Sequence, residues 1–97
     1  MNVLIKNIMS EKYNGYSNYA TWRINLEIFS SDELHIDLGV RVATSPYIYG
    51  KILEDYLYDF IEEGWPEDSL VKSYCIAFLK EVDFTDIANT HMSDYNN

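Results

Sequence analysis

Asn14-Gly15-Tyr16-Ser17-Asn18-Tyr19-Ala20-Thr21-Trp22-Arg23-Ile24-Asn25-Leu26-Glu27-Ile28-Phe29 decides how the rest of the chain is read. An Asn-Gly step signals a turn, and a polar Ser-Asn pair leads straight into an aromatic-rich helical stretch. Asn18 is placed to cap that helix, its side-chain oxygen accepting a backbone N–H one turn in. Tyr19, Trp22, Leu26 and Phe29 fall at i, i+3, i+7 and i+10, which predicts one apolar stripe on a helix over residues 19–29. Ile24 and Ile28 widen the stripe, so more than one side should be covered. Ser30, Ser31 and Asp32 then stop the helix.

Downstream, Leu34-His35-Ile36-Asp37-Leu38-Gly39-Val40-Arg41-Val42 alternates apolar and non-apolar residues. A period of two predicts a strand over residues 34–43 with one buried face, either pairing with a short strand at residues 2–9 or folding back on itself near Gly39. The competing readings are an extended loop for the first segment and a helical turn for the second. An exposed strand edge there would offer a route to a homodimer. Ser45-Pro46 opens a further helix with Pro46 in the first turn, and Tyr49, Leu53, Tyr56, Leu57 and Phe60 share one of its faces. Gly64 is placed to end it in a left-handed conformation. Pro66-Glu67-Asp68 opens the next helix, with Leu70, Val71, Tyr74, Phe78 and Val82 as its buried stripe and Cys75 on the flank. Asp83 caps a last helix, with Asp86 three residues on and an apolar side of Ile87, Ala88, His91, Met92 and Tyr95. The fold class that follows is mainly α: about four helices in a bundle, with a short β-strand pair at residues 2–9 and 34–43, in one domain of 97 residues.

Composition narrows function by exclusion. No apolar run approaches the roughly 20 residues of a membrane span. The opening nonapeptide lacks a basic leader and a small-residue cleavage site, which argues against a signal peptide. One cysteine, Cys75, permits no intrachain disulfide and sets a reducing cytoplasm as the expected location. The net charge of −9 is lopsided. Residues 1–53 hold five acids and five bases, whereas from Glu54 onward eleven acids face only Lys72 and Lys80. Such a chain is not expected to bind nucleic acid through phosphates, which require Lys and Arg. A basic protein surface is the more natural partner.

Two stretches carry a resemblance. Asn18-Tyr19-Ala20-Thr21-Trp22-Arg23-Ile24-Asn25-Leu26-Glu27-Ile28-Phe29 resembles the N-Y-x-T-W-x-(V/I)-x-L-x-(I/V) opening of small phage and plasmid proteins of uncharacterised function. Tyr74-Cys75-Ile76-Ala77-Phe78-Leu79-Lys80-Glu81-Val82-Asp83-Phe84-Thr85-Asp86-Ile87-Ala88 is similar to that group's closing segment, with Phe84 where the group carries Trp before its (E/D)-I-A. Leu34 to Thr44 falls outside the resemblance. What it implies is an origin in a mobile element, with Asn18, Tyr19, Thr21, Trp22 and Arg23 as mainly structural motif positions. By analogy with small acidic proteins of that origin, it also implies action against a host defence system such as CRISPR or restriction.

The candidate partner-binding residues are Glu54, Asp55, Asp59, Glu62, Glu63, Glu67 and Asp68, seven carboxylates within fifteen positions. Like charges at i, i+4, such as Asp55 and Asp59, oppose helix formation by a few tenths of a kcal/mol. The bland reading is a solvated face that keeps the chain soluble. The sharper one is a docking surface whose carboxylate spacing imitates the phosphate track of DNA and occludes a basic groove of a host nucleic-acid-binding protein. Tyr19, Trp22 and Arg23 divide between a stacking surface and an ordinary core. Tyr13, Tyr16, Tyr47 and Tyr58 look exposed and suit protein contact. Chemistry is sparse: Cys75 has no local motif, while His35/Asp37 and His91/Asp94 offer at most two metal ligands each, short of the three or four a site needs. Adjacent Glu62 and Glu63 diverge around the helix and form no dyad. No catalytic residue, metal or cofactor is expected. The alternative function is a non-inhibitory assembly module that binds through Tyr16, Tyr19 and Trp22, its acidity serving solubility alone.

Overall fold

The structure is a computed structural model that describes residues 12–96, with side chains through Tyr95. The segment at residues 2–9 lies outside the described residues. Those described form five helices: α1 (Tyr19–Glu27), α2 (Asp32–Leu38), α3 (Pro46–Gly64), α4 (Leu70–Leu79) and α5 (Phe84–Asn96).

Ahead of α1, Asn14 and Gly15 both take positive φ (47° and 88°), and Tyr13 and Tyr16 exchange backbone hydrogen bonds of 2.8 and 2.9 Å around them. Two successive left-handed residues make the tight hairpin turn for which Asn-Gly is suited. Asn18 caps α1 as its position predicts, Oδ1 accepting from Thr21 N at 2.8 Å. The face that α1 buries differs from the expected stripe. Ala20 and Thr21 are fully buried, Ile24 and Ile28 are half-buried, and Leu26 is 47% exposed. Tyr19 and Trp22 sit at the boundary. Small Ala20 and Thr21 let the helix backbone approach α5, and that closeness sets the rotation. The helix stops at Glu27, and Phe29 enters the core from beyond its end.

Residues 34–43 form no strand. Ser31 caps α2, accepting from Leu34 N at 3.3 Å, and Asp32 and Glu33 sit in the first turn where the helix dipole favours acids. Gly39 closes the helix at φ 99°, a left-handed conformation that glycine adopts without strain. Leu34 and Leu38 belong to both a period of two and an i, i+4 helical pair. The capping residues at either end resolve that ambiguity toward helix. With no strand here, there is no open edge at this segment for a second chain.

The longest helix, α3, is capped by Ser45 with Pro46 at its start. It buries Tyr49, Gly50, Leu53, Leu57 and Ile61, while Tyr56 and Phe60 lie 36% and 56% exposed at the margin. Gly64 is not left-handed; the helix ends because Trp65 is extended (φ −137°, ψ 151°), the conformation imposed on a residue preceding proline. Pro66 to Asp68 form a turn, and Ser69 caps α4 through Lys72 N.

The orientation of α4 corrects the expected stripe. Leu70, Val71 and Tyr74 are 66%, 53% and 69% exposed, whereas Lys72 and Leu79 are buried and Cys75, Ile76 and Phe78 are half-buried. Val82 lies beyond the helix, half-buried against the core. The apolar side of α5 is as expected: Ile87 and Ala88 are fully buried, His91 and Met92 nearly so, and Tyr95 is half-buried. The core therefore runs along the α3–α5 contact and takes in Phe29 and Val40 from outside those helices. Gly50 marks the closest approach, since a Cβ there would lie 3.0 Å from the backbone of Phe84 and Thr85.

Candidate interaction surfaces

The two motif stretches meet. The start of α1 and the start of α5 face each other and cap one another. Thr21 Oγ1 donates to Asn18 Oδ1 (2.8 Å) and accepts from Asp83 N (2.9 Å). Asp83 Oδ1 accepts from Asp86 N (3.1 Å), the ordinary helix cap. In a capping box the residue three along would satisfy the cap's own N–H. Here Thr21 does so from another helix, which frees the Asp86 carboxylate to accept from both N and Oγ of Ser17 at 2.7 Å. Asn18 Nδ2 donates to Glu81 O at 2.8 Å. Asn18 and Thr21 thus tie α1 to the start of α5, in a network that joins positions more than sixty residues apart.

The other three motif residues turn outward. Tyr13 stacks edge-on to Tyr19 (5.3 Å between ring centres) and lies 4.7 Å from Trp22. Arg23 donates to Tyr19 Oη at 3.0 Å and to Glu27 Oε1 at 3.1 Å. Tyr19 and Trp22 therefore belong to a surface cluster rather than to the core, with an exposed guanidinium beside it. Of the other tyrosines, Tyr47 is 67% exposed, while Tyr16 and Tyr58 are half-buried. Burial pushes both of those phenols above the usual tyrosine range.

All seven candidate carboxylates lie at the surface of α3 and the turn after it, Glu54 alone being half-buried. At about 100° per residue, Asp55, Asp59, Glu62 and Glu63 share an arc of the helix facing away from the core. Three of the seven are paired: Glu54 with Lys51 (3.0 Å), and Glu62 and Glu67 with Lys72 (2.7 and 3.5 Å). Lys72 lays its stem against the α3–α4 junction, and its hydrogen bond to Glu62 raises its pKa. Among the described residues Asp55, Asp59, Glu63 and Asp68 have no Lys or Arg within ion-pairing distance. Lysine-paired and uncompensated carboxylates thus alternate along the ridge, four of the seven being uncompensated.

Sequence reasoning missed a buried polar set under α2 and α5. The rings of His35 and His91 stack 3.7 Å apart at 22°. A carbonyl oxygen can only accept, so His35 donates from Nε2 to Phe29 O (2.7 Å), and its Nδ1 accepts from the Tyr49 hydroxyl (2.7 Å). His91 Nε2 donates to Asn25 Oδ1 at 2.7 Å. Burial lowers both histidine pKa values. That of His91 falls to about 4, with His35 lowering it further against the opposing pull of Asp94 and Asp32. Burial likewise raises Tyr49 to about 12. The pair is neutral at physiological pH, and three of its four ring nitrogens are hydrogen-bonded within the fold. Reading His35 and His91 as separate two-residue ligand pairs hid their contact, because only the α2 geometry brings them together. Cys75 is half-buried on α4, and no group of three or more His, Cys, Asp or Glu that could hold a metal ion occurs among the described residues.

These features define a small, mainly helical, acidic protein whose unsatisfied chemistry lies on its surface. The chain belongs to a family of unknown function, DUF7249, whose model matches residues 9–93 and so takes in both motif stretches and the α2 segment between them. No curated protein and no solved structure matches it. No described helix is long and apolar enough to cross a membrane.

Proposed function

We propose that this protein works by binding: the acidic ridge docks on a basic surface of another protein and occludes it. The observation that carries this reading is the uncompensated part of the ridge, Asp55, Asp59, Glu63 and Asp68, which are exposed without a cationic partner among the described residues. Carboxylates left unpaired on a helix repel one another, and an external cationic surface removes that repulsion on contact. Given the resemblance to phage and plasmid proteins, the partner is a host nucleic-acid-handling or defence protein, the ridge takes the place of phosphates, and the setting is the host cytoplasm. Catalysis and bound cofactors have no part in this reading.

The surface cluster of Tyr13, Tyr19 and Trp22 with Arg23 favours a second reading, an assembly module that docks through its aromatic side. Affinity capture from host lysate separates the two. Reversing Asp55, Asp59, Glu62 and Glu63 to Lys abolishes capture under the first reading and leaves it intact under the second. Trp22→Ser, after a fold check, does the opposite.

A further inference from the structure

Beside the ridge lies an open, almost wholly apolar trough of about 360 Å³ between α1, α3 and α4. Leu57 and Ile61 form its buried floor. Its rim is aromatic and wet: Phe60 is 56% exposed, Trp65 37% and Tyr74 69%. The trough is lined by apolar pairs at i, i+4: Leu57/Ile61 on α3, Tyr74/Phe78 and Cys75/Leu79 on α4, and Ile24 of α1 with Ile28 just past its end. Such pairs are the ridges into which the side chains of one more helix interdigitate. Trp and Tyr at the margin of an apolar hollow are also the residue types that anchor protein interfaces.

Charge selects the occupant. No charged residue among those described lines the trough itself, but Glu63 follows Phe60 by three positions on α3, so the unpaired carboxylates of the ridge begin on the helix surface next to the trough's Phe60 rim. A second copy of a chain with net charge −9 would bring carboxylates against carboxylates. A helix with apolar residues at i, i+3/i+4 and i+7 and Lys or Arg along one flank satisfies trough and ridge together. We infer that the trough is the seat of a basic amphipathic helix supplied by the partner protein. This rests on the ridge being a docking surface and adds the element of the partner that is recognised.

The test uses three probes on the full chain: a Leu/Ala/Lys peptide of about 18 residues, or five helical turns, with amphipathic spacing; its scrambled isomer; and deca-lysine. The readouts are the Trp65 indole N–H, the backbone amides of Ile28 and Cys75, and those of Asp55 and Asp59, by NMR titration at low salt. The amphipathic peptide is expected to shift both groups saturably and to bind at least about tenfold tighter than its isomer, or 1.4 kcal/mol. The isomer and deca-lysine shift only the ridge amides. Phe60→Gln and Tyr74→Gln, both at exposed positions, each remove most of that preference. If the amphipathic peptide moves only the ridge amides, the trough is not its seat, although the ridge reading survives. If deca-lysine moves nothing and the amphipathic peptide does not bind, both ideas fall. Equal binding by a Lys→Gln version of the peptide, or a dimer of the free protein that Phe60→Gln dissolves, would replace the basic helix with a neutral ligand or a second copy.

Discussion

Thr21→Val isolates the contact that joins the two ends of the chain. Thr21 is fully buried and valine fills the same volume, so no cavity forms and only the hydroxyl is lost. Two hydrogen bonds go with it, the donation to Asn18 Oδ1 and the acceptance from Asp83 N. Asn18 Oδ1 keeps its bond from Thr21 N. Asp83 N is less fortunate, because Asp86, which would complete a conventional capping box, is committed to Ser17. Asp83 N is only partly buried, so water offsets part of its loss, which costs about 1 kcal/mol, and the lost bond to Asn18 adds about 0.5–1 kcal/mol. For a domain of this size about 2 kcal/mol lowers the midpoint by roughly 8–16 °C. The assay is thermal and urea unfolding of wild type, Thr21→Val and Thr21→Ser, the last of which keeps the hydroxyl and gives up one methyl group. Thr21→Ser should retain more stability than Thr21→Val. Equal loss in the two variants, or a Thr21→Val protein within about 0.5 kcal/mol of wild type, would show that the hydroxyl is not what couples α1 to α5.

Further outcomes concern the core and its histidines. Gly50→Ala should cost about 1–3 kcal/mol in urea unfolding, because the new methyl meets the backbone of Phe84 and Thr85, which cannot rotate away as a side chain could. Leu79→Ala should cost about 2–5 kcal/mol and Val71→Gln less than about 0.5 kcal/mol; the reverse order would restore the stripe that spacing alone predicts for α4. With His91 held near 4 against 6.5 when unfolded, the unfolded chain binds more protons between those values. Stability is therefore complete above about pH 6.5 and declines as pH falls toward 4, by up to about 3 kcal/mol from His91, with His35 acting in the same direction. Urea titrations at about pH 7 and 4.5 should show this decline in wild type and a smaller one in His91→Gln.

Several elements were legible because local chemistry was decisive. Asn14-Gly15 could hardly be other than a tight turn, and Asn18, Ser45-Pro46 and Asp83 each open the helix they signal. The misread elements share a cause: periodicity reports that a face exists, not which neighbour it meets. Residues 34–42 satisfy a period of two, but Ser31 and Gly39 close a helix around them. On α4 the apolar residues outnumber what one face can bury, so which of them turn inward depends on the docking of Lys72 against Glu62 and Glu67. The ridge residues were readable as a charge run. Which of them are lysine-paired and which are not was not readable, because Lys72 on α4 reaches Glu62 on α3 and Glu67 in the turn between. The stacked histidines left no local signal at all, since fifty-six positions separate them.

The central claim is that the uncompensated ridge is what a partner recognises. Its most direct measurement is the association rate between this protein and the protein it captures from host lysate, as salt rises from about 0.1 to 1 M and the screening length contracts from about 10 to 3 Å. The account predicts an association rate that falls by at least about tenfold while dissociation changes little, and a wild-type rate at 0.1 M that the Asp55, Asp59, Glu62 and Glu63 reversal reduces to the high-salt value. A rate indifferent to salt, or unchanged by that reversal, would contradict it.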